Sequence, residues 1–349
     1  KLLKDISKYN NIQMAKKISL NSAYGAIGNN YFRYFDLMIA AAITTSGQLS
    51  IRWIEKSLNI YLNKLLETDN EDYVIASDTD SVYITFDRLV DKLFGEGTET
   101  RKVVNFLDKI ANEKLEPFIE NSYTALAKVT NAYDQKMQMA REVIADKGIW
   151  TAKKRYILNV HDSEGVRYKE PKLKIMGIEA VRSSTPQSCR ESIKSAISLI
   201  MNRDESDLID YVQEFRGKFF KMSFEEVAFP RGMNGINKYR DGDSWRSGTP
   251  IHVRGALIYN RMLEKHKLTK TVEKIRDGDK IKFCYLKQPN PTMENVISAI
   301  DSLPKEFILE DYIDYETQFE KNFLSPLRSI TDVIDWQLEQ RSTLESFFS

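Results

Sequence analysis

Polar and apolar positions alternate along the chain in two distinct rhythms. Near the start, Lys17, Asn21 and Tyr24 follow one another at steps of four and three, which places them on one helical face. Asn11 is the expected cap of that helix, and Gly25 and Gly28 its expected stop. A longer helix is predicted over 36–66, where Ile51, Ile54, Leu58, Tyr61 and Leu65 recur at amphipathic spacing. Two short runs of β-branched and aromatic residues, 73–77 and 81–86, then predict a pair of strands. Helical periodicity returns over 101–145. Residues 149–182 read as strands again, "WTAKKRYILNV" and "LKIMGIEAV" about a turn at "HDSEG". Ser184, Thr185 and Pro186 start a helix over 186–202, and another follows over 205–221. A Gly-rich, basic stretch at 230–255 leads into a mixed C-terminal part. This order places a soft boundary near 182, where strands give way to a helix-rich region.

Composition adds limits. The 349 residues are 42% hydrophobic and 29% charged, ordinary for a globular protein with a sizeable core. Lys plus Arg number 51 against 50 Asp plus Glu, so any basic surface must be local. One such place is 146–182, with nine Lys or Arg against five Asp or Glu. Cys189 and Cys284 lie far apart, which argues against a disulfide framework or a zinc site and for a reducing compartment. No apolar run is long enough to predict a membrane span. The polar start, "KLLKDISKYNN", is no signal peptide, and without an initiator Met it reads as a piece of a longer chain.

The chemistry concentrates in "YVIASDTDSVYITF", residues 73–86. In extended backbone, residues i and i+2 face the same side, so Asp78 and Asp80 are expected to present their carboxylates together. Like charges that close repel unless cations or protons settle between them. Hard divalent ions take oxygen ligands, so the pair fits half of a two-metal phosphoryl-transfer site. A helix-loop-helix calcium loop is excluded, because Tyr83 and Leu89 stand where it needs Gly and Glu. A glycosidase acid–base pair normally draws its carboxylates from separate elements. A plain solvated turn remains open on these residues alone.

"KKISLNSAYGAIGN" carries Lys17, Asn21, Ser22, Tyr24 and Gly25, and "DTDS" follows at 78–81. Together and in this order the two motifs resemble family B DNA polymerases. "AKKRYILNV" (152–160), "LKIMGIEAVRSSTP" (173–186) and "HVRGALIYNR" (252–261) are similar to segments of the phage replicative, T-even-like branch. Ser77 stands where that family usually has Gly before the triplet. The earlier motif D-x-x-S-L-Y-P-S, whose Asp binds both metals, does not occur in the chain.

The resemblance implies an α+β fold: a fingers helix (1–29), the C-terminal part of a palm with an antiparallel sheet and flanking helices (30–182), a helix-rich thumb (183–342) and a clamp-binding tail (343–349). It implies template-directed addition of deoxynucleoside triphosphates to a primer 3′ end, with two magnesium ions as cofactor and manganese as an alternative. Asp80 is the expected metal ligand, Asp78 its neighbour, and Ser81 and Asp162 supporting residues. Lys17, Asn21 and Tyr24 are expected at the incoming nucleotide. Lys153, Lys154, Arg155 and Tyr156 are expected on the primer-template duplex, with Lys154 also reaching the active site. Lys174, Arg231, Lys238, Arg254 and Arg261 are further candidate DNA contacts, and His252 is read as structural. Leu344, Phe347 and Phe348 are expected to dock on a sliding clamp. An N-terminal polymerase portion, with an exonuclease and the upstream palm, is the implied partner, and the infected host's cytoplasm the implied location. The competing readings are a DNA-binding, clamp-tethering segment without catalysis, and a reverse transcriptase or RNA polymerase with a related palm.

Overall fold

The computed structural model describes residues 2–95, 97–242 and 244–339. The expected clamp-binding tail, 343–349, lies outside them. The chain packs as two compact units, Lys1–Ile144 and Ala145–Ser349.

The first unit opens with α1 (Leu2–Ile27), a 26-residue helix with no buried residue. It starts well before Asn11, which therefore sits inside the helix rather than capping it, and it ends where Gly28 was expected to stop it. The following helix, α2 (Leu37–Leu66), is capped by Asp36, whose carboxylate accepts the amides of Met38 and Ile39. Ile54, Leu58 and Leu62, at steps of four, are fully buried. They form a core with Tyr73, Val74, Leu115, Ile119, Tyr123 and Leu126. Strands β1 (Val74–Asp78) and β2 (Ser81–Ile84) form a two-stranded antiparallel sheet beside it.

Helices α3 (Asp87–Leu93), α4 (Thr100–Ile110) and α5 (Glu116–Val129) follow, with a π-turn at Ala111–Leu115 joining α4 to α5. Pro117 explains the π-turn: its ring removes one amide and crowds the carbonyl of Glu113, and the wider turn relieves both. The helix expected to run to 145 stops at Val129. Residues 131–142 form no helix or strand, and β3 (Val143–Ala152) begins directly after them.

In the second unit β3, β4 (Arg155–Ser163) and β5 (Val166–Met176) form a three-stranded sheet in that order. The β4–β5 turn is Glu164 and Gly165, both with positive φ (51° and 86°), as a tight hairpin requires. Strand gives way to helix after 182, with α6 (Gln187–Asn202) and α7 (Glu205–Phe219). Short elements α8 (Phe224–Val227), β6 (Phe229–Gly232), α9 (Ile236–Tyr239), β7 (Arg240–Asp241) and β8 (Ser244–Trp245) precede α10 (Ile251–Lys265). Strands β9 (Lys280–Tyr285) and β10 (Val296–Ala299) complete a sheet of order β10-β9-β6, and α11 (Tyr315–Phe319) and α12 (Ser325–Thr331) close the unit. A second π-turn, Glu320–Leu324, again stands just before a proline, Pro326. One large core runs from Ile157 and Ile178 through Phe215, Phe219, Phe319 and Phe323. The mixture of helices with small antiparallel sheets is the α+β class expected.

Candidate active site

Antiparallel pairing matches Ser77 with Val82 and Asp78 with Ser81, which leaves Thr79 and Asp80 as a two-residue turn. Thr79 takes a φ of +57°, a region that a β-branched residue normally avoids. Such backbone costs about 1–3 kcal/mol and persists where surrounding contacts enforce it. Here the Asp80 amide donates to the Asp78 carbonyl at 2.7 Å, and Thr79 Oγ1 donates to Asp78 Oδ1 at 3.0 Å. Ser81 Oγ donates to the Asp78 carbonyl at 3.2 Å. The strand alternation expected to align the two carboxylates therefore does not apply. Asp78 ends the ladder half-buried, and Asp80 stands beyond it, exposed. Ser77, in the place of the usual Gly, is an ordinary paired strand residue, so the missing Gly leaves the ladder intact.

Two carboxylates at a hairpin tip suit the oxygen preference of a hard divalent ion. Among the described residues no three His, Cys, Asp or Glu side chains gather as a metal-binding group. Asp78 and Asp80 are the residues at this tip whose oxygens could hold such an ion. The sequence reading missed Tyr123 of α5, which is buried in the core beneath the hairpin. Burial first, and the charge of Asp80 second, push its phenol above the ordinary 10.0. Only the helical period of 101–145 marked it, and that period marks core and site residues alike.

Lys17, Asn21 and Tyr24 lie on α1 at the expected spacing, all exposed, with Tyr24 retaining 43% of its surface. The basic cluster of the second unit is arranged differently from the expected strand. Lys153 and Lys154 form the turn between β3 and β4, exposed, with Lys154 at φ +62°. Their side chains therefore do not alternate across a sheet. Arg155 is bound by both nitrogens to Glu179, at 2.7 and 3.0 Å, and Tyr156 is buried and stacked on Trp150. Asp162 is fully buried, accepts the Gly165 amide at 3.0 Å and pairs with Arg167 at 3.1 Å, which fastens the β4–β5 turn. Lys174 is half-buried opposite Leu158.

Arg231 donates to the Ser184 carbonyl at 3.1 Å and lies over the Phe229 and Phe283 rings, where burial lowers its pKa. Arg254 reaches Asn295 and lies over Trp245, while Lys238 is exposed over Tyr239. Arg261 lines an open pocket of about 440 Å³ together with Arg240, Lys274 and Arg276. His252 is half-buried, and its pKa falls because of burial and then the charge of Arg231, consistent with a structural role.

Two family models match the chain: DNA polymerase family B over residues 3–126, and divergent family B DNA polymerase over 65–210. Among curated proteins, the DNA-directed DNA polymerase of Escherichia phage RB69 is 38% identical over 351 residues, covering 96% of this chain and 38% of the relative. That of Enterobacteria phage T4 is 36% identical over 352 residues, covering 97% of this chain and 39% of the relative. The chain belongs to DNA polymerase family B. A more distant viral relative, DNA polymerase beta of African swine fever virus (isolate Tick/Malawi/Lil 20-1/1983), is 29% identical over 180 residues, covering 49% of this chain and 14% of the relative. The chain therefore spans about two-fifths of the length of the phage polymerases it matches. The first family B match contains α1, α2, the hairpin and Tyr123, and the second contains the hairpin and the Lys153–Tyr156 cluster. No helix of the described residues is long and apolar enough to cross a membrane.

Proposed function

We propose that this chain is the C-terminal palm-and-thumb portion of a phage replicative DNA polymerase, working with an N-terminal portion that carries the upstream palm and an exonuclease. The reaction is template-directed nucleotidyl transfer. The primer 3′-oxygen bonds to the α-phosphorus of a deoxynucleoside triphosphate as the bond to pyrophosphate breaks. The observation that carries this reading is the exposed Asp80, set beside Asp78 by a left-handed Thr79. Asp80 and Asp78 would hold divalent magnesium, with manganese as an alternative. The ions, when bound, activate the 3′-hydroxyl and neutralise charge on the transferring phosphoryl group. Lys17 offers a compact cation to the triphosphate, and Asn21 and Tyr24 extend that row toward the nascent base pair. The Lys153–Lys154 turn, Lys174 and the basic residues Arg231, Lys238, Arg254 and Arg261 would position the duplex through its phosphates. The assignments are fingers for 1–29, palm for 30–182, thumb for 183–342 and a sliding-clamp tether at 343–349. The working place is the cytoplasm of the infected host.

Primer extension tests the reading. The chain alone with magnesium, primer-template and deoxynucleotides is expected to extend nothing, and adding the N-terminal portion is expected to restore synthesis. In that complemented enzyme, Asp80→Ala should lower the rate by about 100-fold or more. A near-wild-type rate would sink the assignment. A second reading, a DNA-binding and clamp-tethering segment without catalysis, is favoured by one observation: among the described residues no three metal-binding side chains converge. Extension on complementation that needs Asp80 rejects it. Loss of clamp capture on deleting 343–349 would support the tether under either reading.

A further inference from the structure

The β1–β2 hairpin is a sheet of only two strands among the described residues, and such a hairpin is marginal by itself in water. Val74, Val82 and Ile84 bury apolar surface against α2 and α5, but apolar contact has no direction. Direction must come from hydrogen bonds, and two asparagines one turn apart on α2 supply them. Asn59 Oδ1 accepts two successive amides, those of Tyr73 at 2.9 Å and Val74 at 3.1 Å. Its Nδ2 donates to Asp72 Oδ1 at 2.8 Å. Asn63 Oδ1 accepts the Glu71 amide and the Thr68 hydroxyl, both at 2.9 Å. Its Nδ2 donates to the carbonyls of Glu71 and Asn59, both at 2.8 Å.

All four residues from 71 to 74 are thus tied to one helix just before β1 begins. A carboxamide can do this because it accepts and donates from the same rigid plane, which no carboxylate or aliphatic side chain does. From Val74 the chain runs through a bulge at Ile75 directly to Asp78 and the turn. A tilt at the tied end is therefore carried to the carboxylates.

We propose that Asn59 and Asn63 are positioning residues for the Asp78–Asp80 turn, acting through the backbone of 71–74. The proposal rests on the catalytic reading of that turn, and its test separates the two. In the complemented enzyme, single-turnover incorporation is measured against magnesium and against deoxynucleotide concentration, alongside the thermal midpoint. Displacing catalytic groups by about 1 Å costs on the order of 100-fold in rate. Asn59→Ala is expected to approach that loss and to raise the magnesium requirement, while the deoxynucleotide concentration at half-maximal rate is unchanged. Ile119→Ala, in the same core but without a bond to 71–74, is the control: it should lower the thermal midpoint and leave the magnesium requirement alone. Reversing the polar pair, Asn59→Asp with Asp72→Asn, keeps an acceptor for both amides and a donor–acceptor link to residue 72, and should recover most of the rate. If Asp80→Ala abolishes synthesis while Asn59→Ala matches the wild type in rate and magnesium dependence, the positioning role is overturned. Equal shifts in magnesium requirement for Asn59→Ala and Ile119→Ala would also overturn it. Should Asp80→Ala retain full rate, the catalytic reading itself fails.

Discussion

Gly177 has a φ of +68°, and a Cβ built there would stand 2.2 Å from the Lys154 carbonyl oxygen. Lys154 is itself left-handed, so glycine at 177 and the lysine turn make each other possible. Gly177→Ala should cost more than the roughly 1–3 kcal/mol of left-handed backbone alone, because two main-chain segments must also part. Chemical denaturation would register this as a lowered midpoint. The basic cluster was legible in the sequence as charge, but not as a turn, since lysine carries no turn signal and the permissive residue lies 23 positions away. The roles of Arg155 and Asp162 were likewise hidden, because Glu179 reaches Arg155 from the turn after β5 and Arg167 meets Asp162 through the register of the β4–β5 hairpin. His252 gives a pH prediction. Its folded pKa lies below the ordinary 6.5, so the stability it contributes is present above 6.5 and lost as pH falls from there through the lower folded pKa. Melting temperature should drop between pH 7.5 and 5.5, and His252→Gln should flatten the slope.

Elements were read well where one period ran uninterrupted and poorly where two met. The 36–66 helix was anticipated almost to the residue from the period of Ile51, Ile54, Leu58 and Tyr61, whereas its Asp36 cap was not read and Leu62, not the exposed Leu65, completes the buried face. Asp36→Ala should cost about 1 kcal/mol, seen as a loss of thermal stability in the first unit. The stretch after 101 was extended too far because residues 130–142 keep a mixed polar pattern that neither continues the helix nor breaks it with glycine or proline. Both π-turns escaped notice for a related reason: a proline two residues beyond the distortion reads as an ordinary first-turn proline. At the hairpin, the strands and the carboxylates were legible, whereas the left-handed Thr79 was not, because threonine is the residue least expected there.

At the scale of the molecule, two apolar cores hold the chain, and the second draws its buried residues from Ile157 to Leu338. A fragment starting at residue 140 should therefore melt in one cooperative transition with helical circular dichroism; a broad, featureless melt would show that the core needs the first unit. The family was legible from two short motifs, and the α+β class followed from that resemblance. Chain-long packing was not, since it depends on contacts between residues 100 or more apart, such as Arg216 with Glu316 and Glu339. The 26-residue α1, like the short α3, contributes no residue to either core. Of its 26 residues none is buried, and Leu3, Ile6, Ile18 and Leu20 all face water. A helix with no buried face lacks the tertiary packing that supplies most helical stability in proteins. The row of Lys17, Asn21 and Tyr24 is therefore a row only while the helix stays wound. Under the proposed function, nucleotide affinity becomes a dial turned by a helix–coil equilibrium, and amide exchange along Leu2–Ile27 should slow in step with it when a covering surface is supplied.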